Sequence, residues 1–97
     1  MPAYVTLVTW TDKGICTVQD TVNRTKAARQ TAESLGGRFI GFWWTLGQYD
    51  VISIAEFPDD EAYARFALTS AMPGNCRTTT LHAFNEEEME RIIQGLG

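Results

Sequence analysis

Two strand-patterned segments, residues 38 to 45 and 50 to 57, stand four residues apart. That spacing constrains the chain more than any other feature. Parallel strands need a crossover of about a dozen residues or more, so these two must form an antiparallel hairpin. Both are rich in aromatic and β-branched residues, as strands are. Gly47 suits the first central position of a two-residue type II′ turn, with Gln48 second. In that register Leu46 pairs with Tyr49, Thr45 with Asp50 and Trp43 with Ile52. Asp50 then shares a face with Thr45, Trp43, Ile52, Ile54 and Glu56. A slip of one residue would reverse every side chain.

The flanks of the hairpin repeat one plan. Residues 3 to 10, AYVTLVTW, alternate as a strand with both faces partly buried, and TDKG ends it. Residues 21 to 35 read as a helix with Ala28, Ala32 and Leu35 on one stripe. Small residues there let the helix lie close to a sheet, and Gly36-Gly37 ends it. After the hairpin, Pro58 stops the strand. Asp59, Asp60 and Glu61 suit a helix start, where carboxylates meet unpaired amides. That helix runs to about Met72 and buries Ala62, Phe66 and Ala67; Pro73-Gly74-Asn75 is a turn. Residues 76 to 84, CRTTTLHAF, form a fourth strand. Asn85 and Glu88 make a capping box for a last helix, expected to bury Met89, Ile92, Ile93 and Leu96.

The order β-α-β-β-α-β-α is the split βαβ, ferredoxin-like α+β arrangement with an extra C-terminal helix. All 97 residues form one domain. Two helices cover one sheet face. The other face carries residues as apolar as Trp43 or Trp44, a larger patch than monomers usually leave in water. A second copy packed sheet to sheet is the remedy, giving a homodimer with a barrel-like core, a dimeric α+β barrel, or a larger ring.

Charge narrows the partners. The net charge is −4, and the eight Lys and Arg residues are scattered, so no cluster suits phosphate backbones and nucleic acid is not expected. No apolar run approaches the ~20 residues that cross a bilayer, and the start of the chain lacks a charged lead with an apolar core. A cytoplasmic protein is expected. Cys16 and Cys76 are too few for a disulfide framework and read as reduced packing groups.

Candidate chemistry is sparse. Asp50, sheltered beside Trp43, is suited to acid–base work; its structural alternative is to bond turn amides or Thr45. Tyr49 adjoins it but faces the other way. Arg77 and Glu56 are expected either to pair or to hold an anion. His82, the one histidine, is a base or haem ligand by type. The spacing of Cys76 and His82 does not fit zinc. Trp10, Trp43, Trp44, Phe39 and Phe42 either line a pocket for a flat ligand or simply pack. Pro2, if exposed as a free secondary amine, would be a base of the tautomerase kind.

Four stretches in order, YVTLVTWTDKG, TLGQYDV, EFPDDEA and GNCRTTTLHAF, make the chain resemble the GYD family across residues 2 to about 93. The resemblance implies a ferredoxin-like dimeric α+β barrel and no particular reaction. Its pattern falls here on Thr6, Trp10, Thr11, Gly14, Arg24 and Gly47. It continues through Tyr49, Asp50, Glu56, Arg77, Thr78 and Thr80. His82 stands where a longer basic residue is expected, and TVN lacks the proline expected before Arg24.

Two functional readings follow. One is a homo-oligomeric module for small-molecule binding or assembly, needing no cofactor or metal and partnering itself. The other is a cofactor-free enzyme, monooxygenase- or isomerase-like, with a pocket between sheet and helices. There Asp50 is acid or base, Tyr49 or His82 assists, and Arg77 holds an anion. Thr6, Trp10, Trp43, Thr45, Glu56 and Thr80 complete the expected ligand site.

Overall fold

The computed structural model describes residues 1–97. Strand β1 is Ala3–Trp10, β2 Arg38–Trp44, β3 Val51–Glu56 and β4 Cys76–Ala83. Helix α1 is Asp12–Cys16, α2 Thr21–Ser34, α3 Asp60–Ala71 and α4 Glu86–Gln94; a 3₁₀ turn, Val18–Asp20, links α1 to α2. The strands form one antiparallel sheet in the order β2-β3-β1-β4. This is the expected ferredoxin-like α+β arrangement with a C-terminal helix added. No helix is long and apolar enough to cross a membrane.

Register assigns the two faces. Tyr4 pairs with Ala55 and His82, Thr6 with Ser53 and Thr80, and Val8 with Val51 and Thr78, so these share the helix-covered face. Val5, Leu7, Ile52, Ile54, Leu81 and Trp43 lie on the opposite face. A bulge between Phe39 and Gly41 re-phases β2, putting Phe39, Phe42 and Trp44 on the helix side and Trp43 on the open side. Gly41 lets the Trp43 ring lie over the strand: a Cβ would sit 2.2 Å from that ring and displace it.

The core packs α2 and α3 on the sheet around Tyr4. Tyr4, Phe57, Tyr63 and Phe66 form a nest of rings, with Ala32, Ala55 and Ala62 filling between them. Tyr4 stacks on Tyr63 with centroids 4.2 Å apart, and Phe57 meets Phe66 at 5.1 Å. Asp59 caps α3 by accepting from the Ala62 amide at 2.9 Å. The Asn85–Glu88 capping box closes α4 as the sequence implies.

Four expectations are corrected. The hairpin does not close in two residues: the ladder runs to Trp44 and Val51, the Thr45 amide still donates to the Asp50 carbonyl at 2.9 Å as the expected register implies, and Leu46 is fully exposed. The Asp50 amide donates to the Val8 carbonyl at 2.8 Å, tying the end of the hairpin to β1, and Thr45 Oγ1 donates to the Tyr49 carbonyl at 2.6 Å within the loop. The pairing of Trp43 with Ile52 stands as expected. TDKG does not merely end β1; Thr11 caps α1 by accepting from the Gly14 amide. Glu56 pairs with Arg38 at 2.8 Å rather than with Arg77. Glu56 lies opposite Ala3 and Arg77 opposite Thr9, so about 20 Å of strand separates them. Finally, α4 buries nothing. Met89, Ile92, Ile93 and Leu96 are 47%, 42%, 55% and 80% exposed, because no element of the protomer lies beneath their stripe.

Candidate functional site

Between sheet and helices, toward the Trp10 end, lies a cavity of about 290 Å³. Its sheet side is Thr6, Val8 and Trp10 of β1, Val51 and Ser53 of β3, and Cys76 and Thr78 of β4. Ala28 and Thr31 of α2 and Ala67 and Ser70 of α3 cover it, and Phe39, Phe42 and Phe66 close the inner side. Small residues on both layers, among them Ala28, Ala67, Ser53 and Thr6, leave space that the surrounding rings do not fill.

Arg24 is the one charged side chain on its wall. It is half-buried and makes no ion pair. Nη1 donates to Thr17 Oγ1 at 2.9 Å and Nη2 to the Gly14 carbonyl at 3.2 Å. These bonds fix the guanidinium against α1. Gly14 is itself forced by close approach: a Cβ would lie 1.9 Å from the Asn75 carbonyl oxygen. Cys76 lines the same wall with its thiol toward the Ser70 carbonyl at 3.7 Å. Burial pushes that thiol up, against the pull of Arg24 and Arg77, so it stays protonated at neutral pH.

A chain of hydroxyls links Thr6 of the cavity wall to Tyr63 of the aromatic core. Tyr63 OH lies 2.7 Å from both Thr6 Oγ1 and Thr80 Oγ1. Tyr4 OH donates to Asp60 Oδ1. Burial first, and the Asp60 carboxylate second, push the Tyr4 phenol well above its ordinary range.

Of the residues expected to form a site, Thr6 and Trp10 line the cavity. Asp50 stands beside its rim, where Oδ2 accepts the Trp10 amide at 2.8 Å and ties the hairpin to the end of β1. Thr45 and Tyr49 meet within the loop. His82 is far from these: it pairs with Tyr4, about 20 Å of strand from Trp10. Its exposed ring lies between Tyr4 and Phe84, at centroid distances of 5.2 and 4.8 Å. Trp43 and Arg77 are on the open face, and Glu56 is held by Arg38. Thr80 joins the hydroxyl chain. Arg24, Ser53 and Cys76 were not expected at the site. The one available signal was Arg24 in the GYD pattern; nothing in the spacing of Ser53 or Cys76 marks a cavity wall.

A four-stranded antiparallel sheet in this order, covered on one face by two helices, defines a ferredoxin-like α+β domain. The chain belongs to the GYD domain family, whose model matches residues 4–93. A relative from Thermus thermophilus, named glutamine synthetase and cystathionine beta-lyase binding protein, is 34% identical over 84 residues, covering 86% of this chain and 88% of the relative. The crystal structure of TTHA0845 from Thermus thermophilus matches with a TM-score of 0.55 at 20% identity, over 88% of this chain and 95% of that one. It shares the fold.

Proposed function

We propose that the chain is a non-catalytic binding module that works as a sheet-to-sheet homodimer and engages enzymes through the surface left outside that dimer. The observation that carries this reading is the bare apolar surface. A compact monomer of 10.9 kDa exposes roughly 5,600 Å²; this chain exposes 6417 Å². Its radius of gyration is 14.6 Å, against about 12.5 Å for a compact chain of this length. Two continuous parts of the exposed apolar surface are the open sheet face and the stripe of α4. Trp43 and Leu81 are 53% and 51% exposed on that face, with Val5, Leu7, Ile52 and Ile54 half-buried between them. A stable dimer buries about 800 Å² per partner, roughly an eighth of the accessible surface. A twisted sheet face of this kind suits a second sheet about 10 Å away.

The relative's name supports protein partners, and glutamine synthetase and cystathionine β-lyase are the enzymes to try first. The free Cys16 and Cys76 fit a reducing compartment, and the proposed location is the cytoplasm. For the enzyme alternative, the Asp50 carboxylate is already committed to the Trp10 amide, which supports a structural role.

Light scattering after gel filtration tests the dimer. The expected result is a dimer for the native chain and a folded monomer for Ile54→Glu, which places a charge in the joint. A native monomer at every concentration, or a dimeric Ile54→Glu, overturns it. Biolayer interferometry against the two purified enzymes tests the partner; binding to neither removes that part.

A further inference from the structure

We propose that the cavity between sheet and helices is a binding site for a small organic monocarboxylate with a compact apolar or aromatic body, anchored by Arg24. This goes beyond the binding-module reading and does not depend on the dimer or on an enzyme partner.

Three features select the ligand. The first is volume: about 290 Å³ lies at the small end of natural ligand sites, which suits a single ring or a short branched chain. The second is polarity. Phe39, Phe42, Phe66, Val51 and Ala28 give most of the wall an apolar character, which favours a hydrocarbon body over a sugar or a polyphosphate. The third is charge. Arg24 is the sole ionic group on the wall, and no carboxylate of the protein lies within ion-pair distance of it. Its two protein hydrogen bonds go to the neutral oxygens of Thr17 and Gly14. A guanidinium carries five N–H donors, so donors remain for a ligand carboxylate, which arginine receives in two-pronged geometry. Half-buried beside an apolar space, the cation is screened less than an exposed one, and a carboxylate there supplies the missing counter-charge. One cation matches one negative charge, which disfavours dianionic phosphate.

The neutral rest of the wall agrees. Ser53 and Thr78 bring hydroxyls, and the Cys76 thiol brings no competing negative charge at neutral pH. Thr21, Arg24 and Thr25 all stand in the first turns of α2, whose positive dipole end adds to the attraction for an anion.

Benzoate and its neutral isostere benzamide are the probes, titrated calorimetrically, with Trp10 fluorescence as a second readout from the cavity wall. The native chain is expected to bind benzoate at least about tenfold more tightly than benzamide. Arg24→Gln is expected to erase that preference while leaving weak binding of both. Because Arg24 also braces α1, a second variant leaves it intact: Ala28→Leu narrows the space and is expected to weaken binding of both ligands with the fold unchanged. Equal affinity for the two probes in the native chain overturns the anchor. Undiminished benzoate binding by Ala28→Leu overturns the location. No binding of either probe at ~10 mM overturns the site.

Discussion

Tyr4 and Trp10 point to the same side of one strand and meet opposite surroundings. At the Tyr4 end the layer between sheet and helices is filled: Phe57 is completely buried and Tyr63 and Phe66 nearly so, ring against ring. At the Trp10 end the same layer is hollow, although the same two helices cover it. The difference comes from what faces what. Large rings oppose small alanines at the first end, as in Phe57 beside Ala32 and Ala62, and the volumes interlock. At the second end Ala28 and Ala67, at the margin of the core, share the layer with Ser53 and Thr6, and the rings of Phe39, Phe42 and Phe66 line the space without filling it. One end anchors the fold, and the other is left free to hold something.

The largest effect expected from this contrast is at the filled end. Phe57→Ala removes a ring with no exposure and should cost about 3–5 kcal/mol. Urea unfolding should show an earlier midpoint with little change in slope; a loss under ~1 kcal/mol would mean that the filled end is not filled.

A middle-sized effect comes from one substitution made twice. Ala32 and Ala28 lie one turn apart on α2, the first at 0% exposure in the core and the second on the cavity wall. Ala32→Leu should destabilise by about 1–3 kcal/mol through overpacking, whereas Ala28→Leu should stay within about 1 kcal/mol of the native chain or stabilise it. Equal penalties at both positions would erase the distinction between the ends.

The smallest effect depends on pH. The Tyr4 phenol titrates higher folded than unfolded, because burial and Asp60 both oppose the phenolate. The neutral phenol therefore contributes stability that is complete below the unfolded value near ~10 and is lost as pH rises beyond it. Unfolding followed from pH ~9 to ~10.5 should show the native chain losing up to about 1 kcal/mol more than Tyr4→Phe. Parallel profiles for the two chains would show that Tyr4 does not carry the alkaline loss.

Much of this plan was legible in the residues. Alternation in AYVTLVTW, the Gly36-Gly37 stop, Pro58 with its acidic successors, and the Asn85–Glu88 box each mark an element locally, and each element formed. The bulge between Phe39 and Gly41 was not read from the residues, and only pairing with β3 showed which tryptophan it sends to the open face. The hairpin register was legible but its two-residue turn was not: Asp50 is tied to the Val8 carbonyl and the Trp10 amide, some forty residues away, and no local spacing reveals those partners. Arg24 stood in the GYD pattern, but its place beside an apolar space depends on Gly14 meeting Asn75, a contact no local spacing reveals.

By itself the sequence determined the elements, their order and the apolar stripes, because caps, turns and hydrophobic periods act between residues a few positions apart. It determined that α4 has an apolar face without determining what covers it. Only the tertiary structure decided that Ala32 is enclosed in the core while Ala28 also borders a cavity, and that Glu56 takes Arg38 instead of Arg77. Empty volume and long-range pairing are properties of two surfaces brought together, and neither surface alone carries them.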